Sequence, residues 1–185
     1  MSLEEHKRAP PRPIGFAILT ISDTRTGPAG TAGAAPDKGG DYLAEAILAA
    51  GHRVALREWS VDEARPIEVA VRRAATHAEV ELVVTTGGTG IAPRDVTYPT
   101  LKRVLDSEIP GFGELFRQLS FREIGSATLL SRAIGGLLGG KVVLALPGSP
   151  KARRSIITLP VMRSAMPDAA HRRYSSTSSG VGRLS

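Results

Sequence analysis

Glu81-Leu82-Val83-Val84-Thr85-Thr86-Gly87-Gly88-Thr89-Gly90, continuing to Asp95, is the stretch from which the rest of the chain can be ordered. It opens as an unbroken apolar run, Leu82 to Val84, the pattern of a strand buried on both faces. The run ends in threonines and then in Gly87, Gly88 and Gly90. Glycines reach backbone angles closed to other residues and carry no Cβ to hold a ligand away. Helical spacing resumes at Leu101, Val104 and Leu105. A strand, a glycine turn, an acid and a helix in succession form a pocket beyond the carboxyl end of a strand in α/β proteins. Backbone N–H groups in such a turn can hold phosphate. The turn alone is unspecific. It is neither the GxGxxG of dinucleotide folds nor a P-loop ending in Gly-Lys-Ser/Thr, and a tight turn without ligand fits it equally well.

Outward from this stretch, apolar segments of strand length alternate with helical ones. Ile14 to Ile21 predicts a strand that ends at Ser22-Asp23, and Thr26 to Gly40 predicts a long loop. Leu43, Ala46, Ile47 and Ala50 lie at helical spacing, with Gly51 as a C-cap. His52 to Trp59 predicts an edge strand, with His52 solvated at its start. A helix follows at Pro66, with Ile67, Ala70, Val71 and Ala74 inward. Asp62 reads either as the N-cap of that helix or as a functional carboxylate. Beyond the glycine turn, Thr97 predicts an N-cap with Pro99 in the first turn, which leaves Asp95 without a capping task.

Ile109 to Gly113 predicts a turn, and Glu114 to Phe121 a short helix. A helix opened by Ser126 or Thr128 is expected to run through Leu137 and stop at Gly139-Gly140. Lys141 to Leu146 predicts a buried strand that delivers Pro147-Gly148-Ser149-Pro150-Lys151, followed by a helix to about Met166. The alternation predicts an α/β three-layer sandwich, a mostly parallel sheet with helices on both faces. Ser22-Asp23, Asp62, Gly87 to Asp95 and Ser149-Pro150-Lys151 each follow a strand. In a parallel sheet these ends share one edge.

Composition narrows the chemistry. The 185 residues suit one domain, expected at 14–167 between a flexible leader (1–13) and a flexible basic tail (168–185). There is no cysteine, which removes disulfides, thiolate metal sites and cysteine nucleophiles. No apolar run approaches the roughly 20 residues of a membrane span, and the polar, proline-rich leader is no signal peptide; a cytoplasmic protein is expected. The net charge of +6 sits wholly in residues 151–185, where seven Lys/Arg face a single acid, Asp168. With aromatics at 4%, this pattern speaks against a nucleic-acid face and for a local small-anion site.

The converging segments offer glycine amides, the hydroxyls of Thr86, Thr89 and Ser149, the carboxylates of Asp62 and Asp95, and positive charge from Lys151 and Arg94. They hold no histidine, which disfavours a Ser-His-Asp hydrolase. Amides and lysine suit phosphate, and two carboxylates suit Mg²⁺ shared with substrate phosphates. This is equipment for phosphoryl or nucleotidyl transfer. Lys151 reads equally as a solvated residue in a first helical turn.

The run Val83 to Gly90 with Asp95 resembles the signature of the MoaB/Mog family of molybdenum-cofactor biosynthesis proteins. The likeness extends through Ile14–Asp23, Asp37-Lys38-Gly39-Gly40, Ile109 to Glu114, Leu130-Ser131-Arg132-Ala133 and Leu146 to Ala152. It implies a molybdopterin-binding domain, assembled as a homotrimer or homohexamer, that adenylylates molybdopterin with Mg²⁺ and ATP ahead of a molybdenum-insertion protein. By position it implies that Ser22, Asp23, Thr86, Gly87, Gly88, Thr89, Gly90, Gly148, Ser149, Pro150 and Lys151 bind substrate, and that Asp62 and Asp95 are catalytic and hold the metal. Phe116 to Gly125 and the short chain resemble the MoaB branch, some members of which lack the acid matching Asp62 and are thought not to adenylylate. This chain keeps Asp62, but has Gly39 where the family often has serine. A non-catalytic molybdopterin-binding protein and an oligomeric scaffold are the competing expectations.

Overall fold

The computed structural model describes residues 13–130 and 132–147. Six strands form one sheet in the order β2-β1-β3-β6-β5-β4. They are β1 (Gly15–Ile21), β2 (Arg53–Ser60), β3 (Leu82–Thr86), β4 (Ser107–Glu108), β5 (Ile134–Leu138) and β6 (Lys141–Leu146). Neighbours β2, β1, β3 and β6 run parallel, whereas β5 is antiparallel to both β6 and β4. The helices are α1 (Lys38–Ala49), α2 (Ala64–Thr76), α3 (Thr97–Val104) and α4 (Pro110–Ile124).

Strand alternation sorts β1 between two cores. Phe16 and Ile18 point to one face and pack with Leu43 and Ile47 of α1 and Phe112 and Phe116 of α4. Ala17, Leu19 and Ile21 point to the other and pack with Ile67 and Val71 of α2 and Leu101 and Val104 of α3. Each residue of β1 and β3 is buried, as the unbroken apolar runs require. On the edge, β2 buries only Ser60 fully and carries Arg53, Arg57 and Glu58, which blunts it against pairing with another chain.

Register brings the strand ends together. Thr20 pairs with Thr86, Thr86 with Leu146, and Ile21 with Ser60. The Ser22 N–H donates to the Ser60 carbonyl at 2.8 Å, and the Gly87 N–H to that of Leu146 at 3.3 Å. From β1 the chain leaves towards β2 over one face, and from β3 towards β4 and β5 over the other. Such a reversal opens a crevice between β1 and β3 at their carboxyl ends.

Residues 107–140 differ from the sequence expectation. Pro110 opens α4 at its first position, so Ile109 to Gly113 is the helix start rather than a turn. The expected helix through Leu137 is a short 3-10 turn, Gly125–Leu130, followed by β5. Gly139 and Gly140 both take positive φ, +56° and +75°, and form the tight turn between β5 and β6. The two strand glycines explain why. A Cβ on Gly135 would lie 2.7 Å from the Phe112 ring, and one on Gly136 would strike the Ser107 carbonyl oxygen. Bare backbone there lets α4 and β4 close on β5, whereas two interior glycines would weaken a helix by roughly 2 kcal/mol relative to alanine.

Asp37 ties the edge of the sheet to α1. It is 8% exposed, accepts the Gly40 N–H at 2.9 Å as N-cap, and receives the Thr20 hydroxyl (2.6 Å), Arg57 Nη2 (3.1 Å) and Trp59 Nε1 (3.1 Å). Burial alone pushes its carboxyl upward, but these donors outweigh burial and hold it below the ordinary aspartate value.

Candidate functional site

The crevice is built from the loops after β1, β2 and β3. Gly87 turns at φ +110° and Gly88 at φ +59°, the left-handed region that admits glycine readily. Space forbids a side chain as firmly as the angles do. A Cβ on Gly87 would strike the Ile21 carbonyl oxygen, and one on Gly90 would lie 2.7 Å from Asp95 Oδ2. Thr86 and Thr89 are buried on either side of the paired glycines.

Asp62, at the exit of edge strand β2, reaches across the sheet to this turn. Its Oδ1 accepts the Val96 N–H at 3.4 Å. A Cβ on Gly88 would lie 2.6 and 2.8 Å from the two Asp62 carboxylate oxygens. Of the two readings of Asp62, the structure does not support the N-cap of α2. That helix has Glu63 at the cap position with no side-chain cap bond, and the Asp62 carboxylate faces the start of α3 instead. Burial raises the Asp62 carboxyl above the ordinary aspartate value, and the negative charges of Asp95 and Asp23 push the same way; the Val96 N–H and Arg94 only partly offset this.

Asp95 is held by its own loop: Oδ2 accepts the Ala92 N–H at 3.0 Å, and the Asp95 N–H donates to the Ala92 carbonyl at 2.9 Å. Asp23 joins the loops, with Oδ1 accepting the Asp62 N–H at 2.8 Å and Oδ2 paired with Arg94. Ser22 lies beside it, its hydroxyl 3.3 Å from that of Thr24. The fold thus gathers Ser22, Asp23, Asp62, Thr86 to Gly90 and Asp95. Gly148, Ser149, Pro150 and Lys151 lie outside the described residues, as does the expected helix to Met166.

Thr97 corrects another expectation. It is the first residue of α3 rather than its cap; Val96 caps the helix without a side-chain bond. The sequence reading held Arg132 only as part of the Leu130–Ala133 likeness and gave it no role. Its backbone N–H donates to the Thr89 carbonyl at 3.0 Å, and its Nη2 to the carbonyls of Gly90 and of Asp95 (2.8 Å). Its guanidinium carbon lies 5.2 Å from the centre of the Tyr98 ring. No local pattern singles out Arg132, because every one of these partners is distant in sequence.

Among the described residues, no group of three or more His, Cys, Asp or Glu side chains could hold a metal ion unaided. The Asp62 carboxylate, raised by burial and by its acidic neighbours and set beside bare glycine backbone, nevertheless fits a hard cation that takes its remaining ligands from substrate phosphates and water.

A family model described as "Probable molybdopterin binding domain" matches residues 17–165. The chain belongs to this molybdopterin-binding family. It is 44% identical over 172 residues to a Bacillus cereus "Molybdenum cofactor biosynthesis protein B", covering 92% of this chain and 95% of that one. It is 38% identical over 157 residues to a Pyrococcus furiosus "Molybdopterin adenylyltransferase", covering 82% and 88%. A crystal structure titled "tungsten cofactor synthesizing protein MoaB" from Pyrococcus furiosus superimposes with a TM-score of 0.69 at 31% identity, over 89% of this chain and 98% of the other. In this family member the glycine turn and Asp62 meet at the sheet's switch point.

Proposed function

We propose that this protein is a molybdopterin adenylyltransferase that transfers AMP from Mg²⁺-bound ATP to the terminal phosphate of molybdopterin. The observation that carries this reading is the placement of the Asp62 carboxylate, from the sheet edge, against the bare Cα of Gly88. A phosphate oxygen of molybdopterin attacks the α-phosphorus of ATP. The bond to the bridging oxygen breaks, and pyrophosphate leaves with the electron pair. Bound Mg²⁺ supplies neutralisation of phosphate charge. Asp62 and Asp95 would hold it, and the turn of Gly87 to Gly90 would cradle the phosphates, with the amides of Gly88 to Gly90 as its donors. Ser22, Asp23, Thr86 and Thr89 line the substrate side, and the proposal also assigns substrate binding to Gly148, Ser149, Pro150 and Lys151. Catalysis then rests on positioning and electrostatics.

The proposal covers one molybdopterin-binding domain, residues 14–167, in a cytoplasmic homotrimer or homohexamer that hands its product to a molybdenum-insertion protein. Among the described residues no helix is long and apolar enough to cross a membrane. A non-catalytic molybdopterin carrier is the second reading, favoured by relatives named only for cofactor biosynthesis; retention of Asp62 speaks against it. The test is molybdopterin-dependent release of pyrophosphate from ATP. It is expected in the wild type and lost in both Asp62→Asn and Asp95→Asn. Turnover persisting in both variants removes the assigned roles, and tight pterin binding without turnover in the wild type selects the carrier.

A further inference from the structure

Arg94 stands at the rim of the crevice, in the loop between the glycine turn and α3. Its Nη2 donates to Asp23 Oδ2, and among the described residues no other atom of its side chain has a hydrogen-bond partner. The two side chains are 72% and 46% exposed, so a ligand can reach both. The pair joins two of the loops that build the crevice, the one after β1 and the one after β3. An exposed ion pair adds little stability, because water and salt screen it. Its charges have a clearer task. Asp23 Oδ1 accepts the Asp62 N–H at 2.8 Å, and the Asp62 carboxylate feels the negative charges of Asp95 and Asp23 with Arg94 acting against them. Three acids are thus close enough to repel, and Arg94 serves as a counterion to the cluster.

Resting on the adenylyl-transfer reading above, we infer that Arg94 binds the β- and γ-phosphates of the nucleotide, giving up the Asp23 carboxylate for them. The exchange is chemically even. One anionic oxygen replaces another before the same guanidinium, whose planar fork fits carboxylate and phosphate alike. Once Asp62 and Asp95 hold a divalent cation, the acids no longer need the arginine, and its charge is free for phosphate. Position selects the outer phosphates. The glycine turn lies deeper, between the buried Thr86 and Thr89, whereas Arg94 is on the solvent side, by which a leaving pyrophosphate departs. Asp23 keeps the guanidinium aimed across the crevice instead of loose in water.

The test compares Arg94→Gln with wild type by calorimetry, using Mg²⁺ with α,β-methylene-ATP and, separately, AMP. Binding of the ATP analogue is expected to weaken about tenfold, the scale of one lost bond to a charged group. Binding of AMP should stay within about threefold of wild type. The melting temperature of ligand-free Arg94→Gln should stay within about 2 °C of wild type, because the pair is exposed. In an Asp23→Asn background the effect of Arg94→Gln on the analogue should grow about threefold, since the arginine there has no carboxylate to leave. Unchanged binding of the analogue overturns the inference, and so does equal weakening for AMP. An effect of Arg94→Gln that does not grow in the Asp23→Asn background overturns the exchange. Weakened binding in Arg94→Gln together with absent pyrophosphate release in the wild type would uphold the contact and remove the adenylyl-transfer reading. Robust pyrophosphate release with Arg94-independent binding would do the reverse.

Discussion

Arg132 Nη2 donates to the Asp95 carbonyl at 2.8 Å from the segment just before β5, so the loop that follows β3 is braced from the far side of the sheet. The same nitrogen reaches the Gly90 carbonyl, and the guanidinium lies over Tyr98 of α3. One side chain thereby fixes two ends of the glycine loop and the helix beyond it. Thr89 to Asp95 is held as a frame, which under the proposed function matters because its amides and its acid would act on the same phosphates.

Replacing Arg132 with lysine keeps the charge but loses the planar guanidinium that lies over Tyr98 and fixes Nη2 between the two carbonyls. The expected outcome is a fall in kcat of about tenfold or more with little change in KM for ATP, on the scale by which a small misplacement of reacting groups slows an enzyme. Steady-state kinetics of Arg132→Lys checks this. A change confined to KM would show that Arg132 binds substrate rather than bracing the loop.

Asp62→Asn is expected to abolish turnover and stabilise the fold. The Asp62 carboxyl is raised by burial and by its acidic neighbours, so the charged form that prevails at neutral pH is the less favourable one in the folded state. Stability from this group is fully present below the unfolded aspartate value and is lost as pH rises through the higher folded value. The amide removes that penalty, as expected at a site where function opposes stability. Thermal melts at pH 7.5 should place Asp62→Asn at or above wild type, and the gap should close towards pH 4.

Asp37 works in the opposite sense. Its carboxyl is lowered, so the stability it contributes is present above the unfolded value of 3.8 and is lost as pH falls through the lower folded value. Asp37→Ala leaves the Thr20 hydroxyl, the Trp59 indole N–H and Arg57 Nη2 without this acceptor and removes the cap of α1. A loss of about 3 kcal/mol is expected at pH 7, on the scale of breaking a buried charged pair. Urea unfolding at pH 7 and at pH 3 checks it, and the difference from wild type should be smaller at pH 3.

Gly88→Ala puts a methyl group against the Asp62 carboxylate and the Thr97 hydroxyl, on a backbone held at φ +59°. About 1–2 kcal/mol of stability should be lost to the left-handed backbone alone, and nucleotide binding should be lost with it. Chemical denaturation and calorimetry separate the two effects. An alanine variant that binds ATP normally would show that the open cradle is not used.

The central reading needed only local pattern. Leu82 to Val84 declares a strand buried on both faces, Gly87 and Gly88 declare a turn closed to other residues, and alternation of strands and helices fixes the parallel sheet. These signals are carried by residues adjacent in the chain, and periodicity and backbone angles are properties of adjacent residues. The hairpin of β5 and β6 was ambiguous because Ile134 to Leu138 is a short apolar run that suits either element. Contacts of Gly135 and Gly136 with Phe112 and Ser107 settled it, at separations no window along the chain can see.

The site divides in the same way. Asp95 follows its glycines by a few residues and could be picked out beside them, whereas by position alone Asp62 read more readily as a helix cap, and only the fold turns it toward Val96 and Gly88. Arg132 and the unpaired Thr97 hydroxyl were invisible for the same reason. The sequence by itself determined which backbone is bare and which strands are buried. The tertiary structure alone decided which acid, which arginine and which hydroxyl face that bare backbone, because convergence depends on strand order and register, and these are set by packing between distant segments.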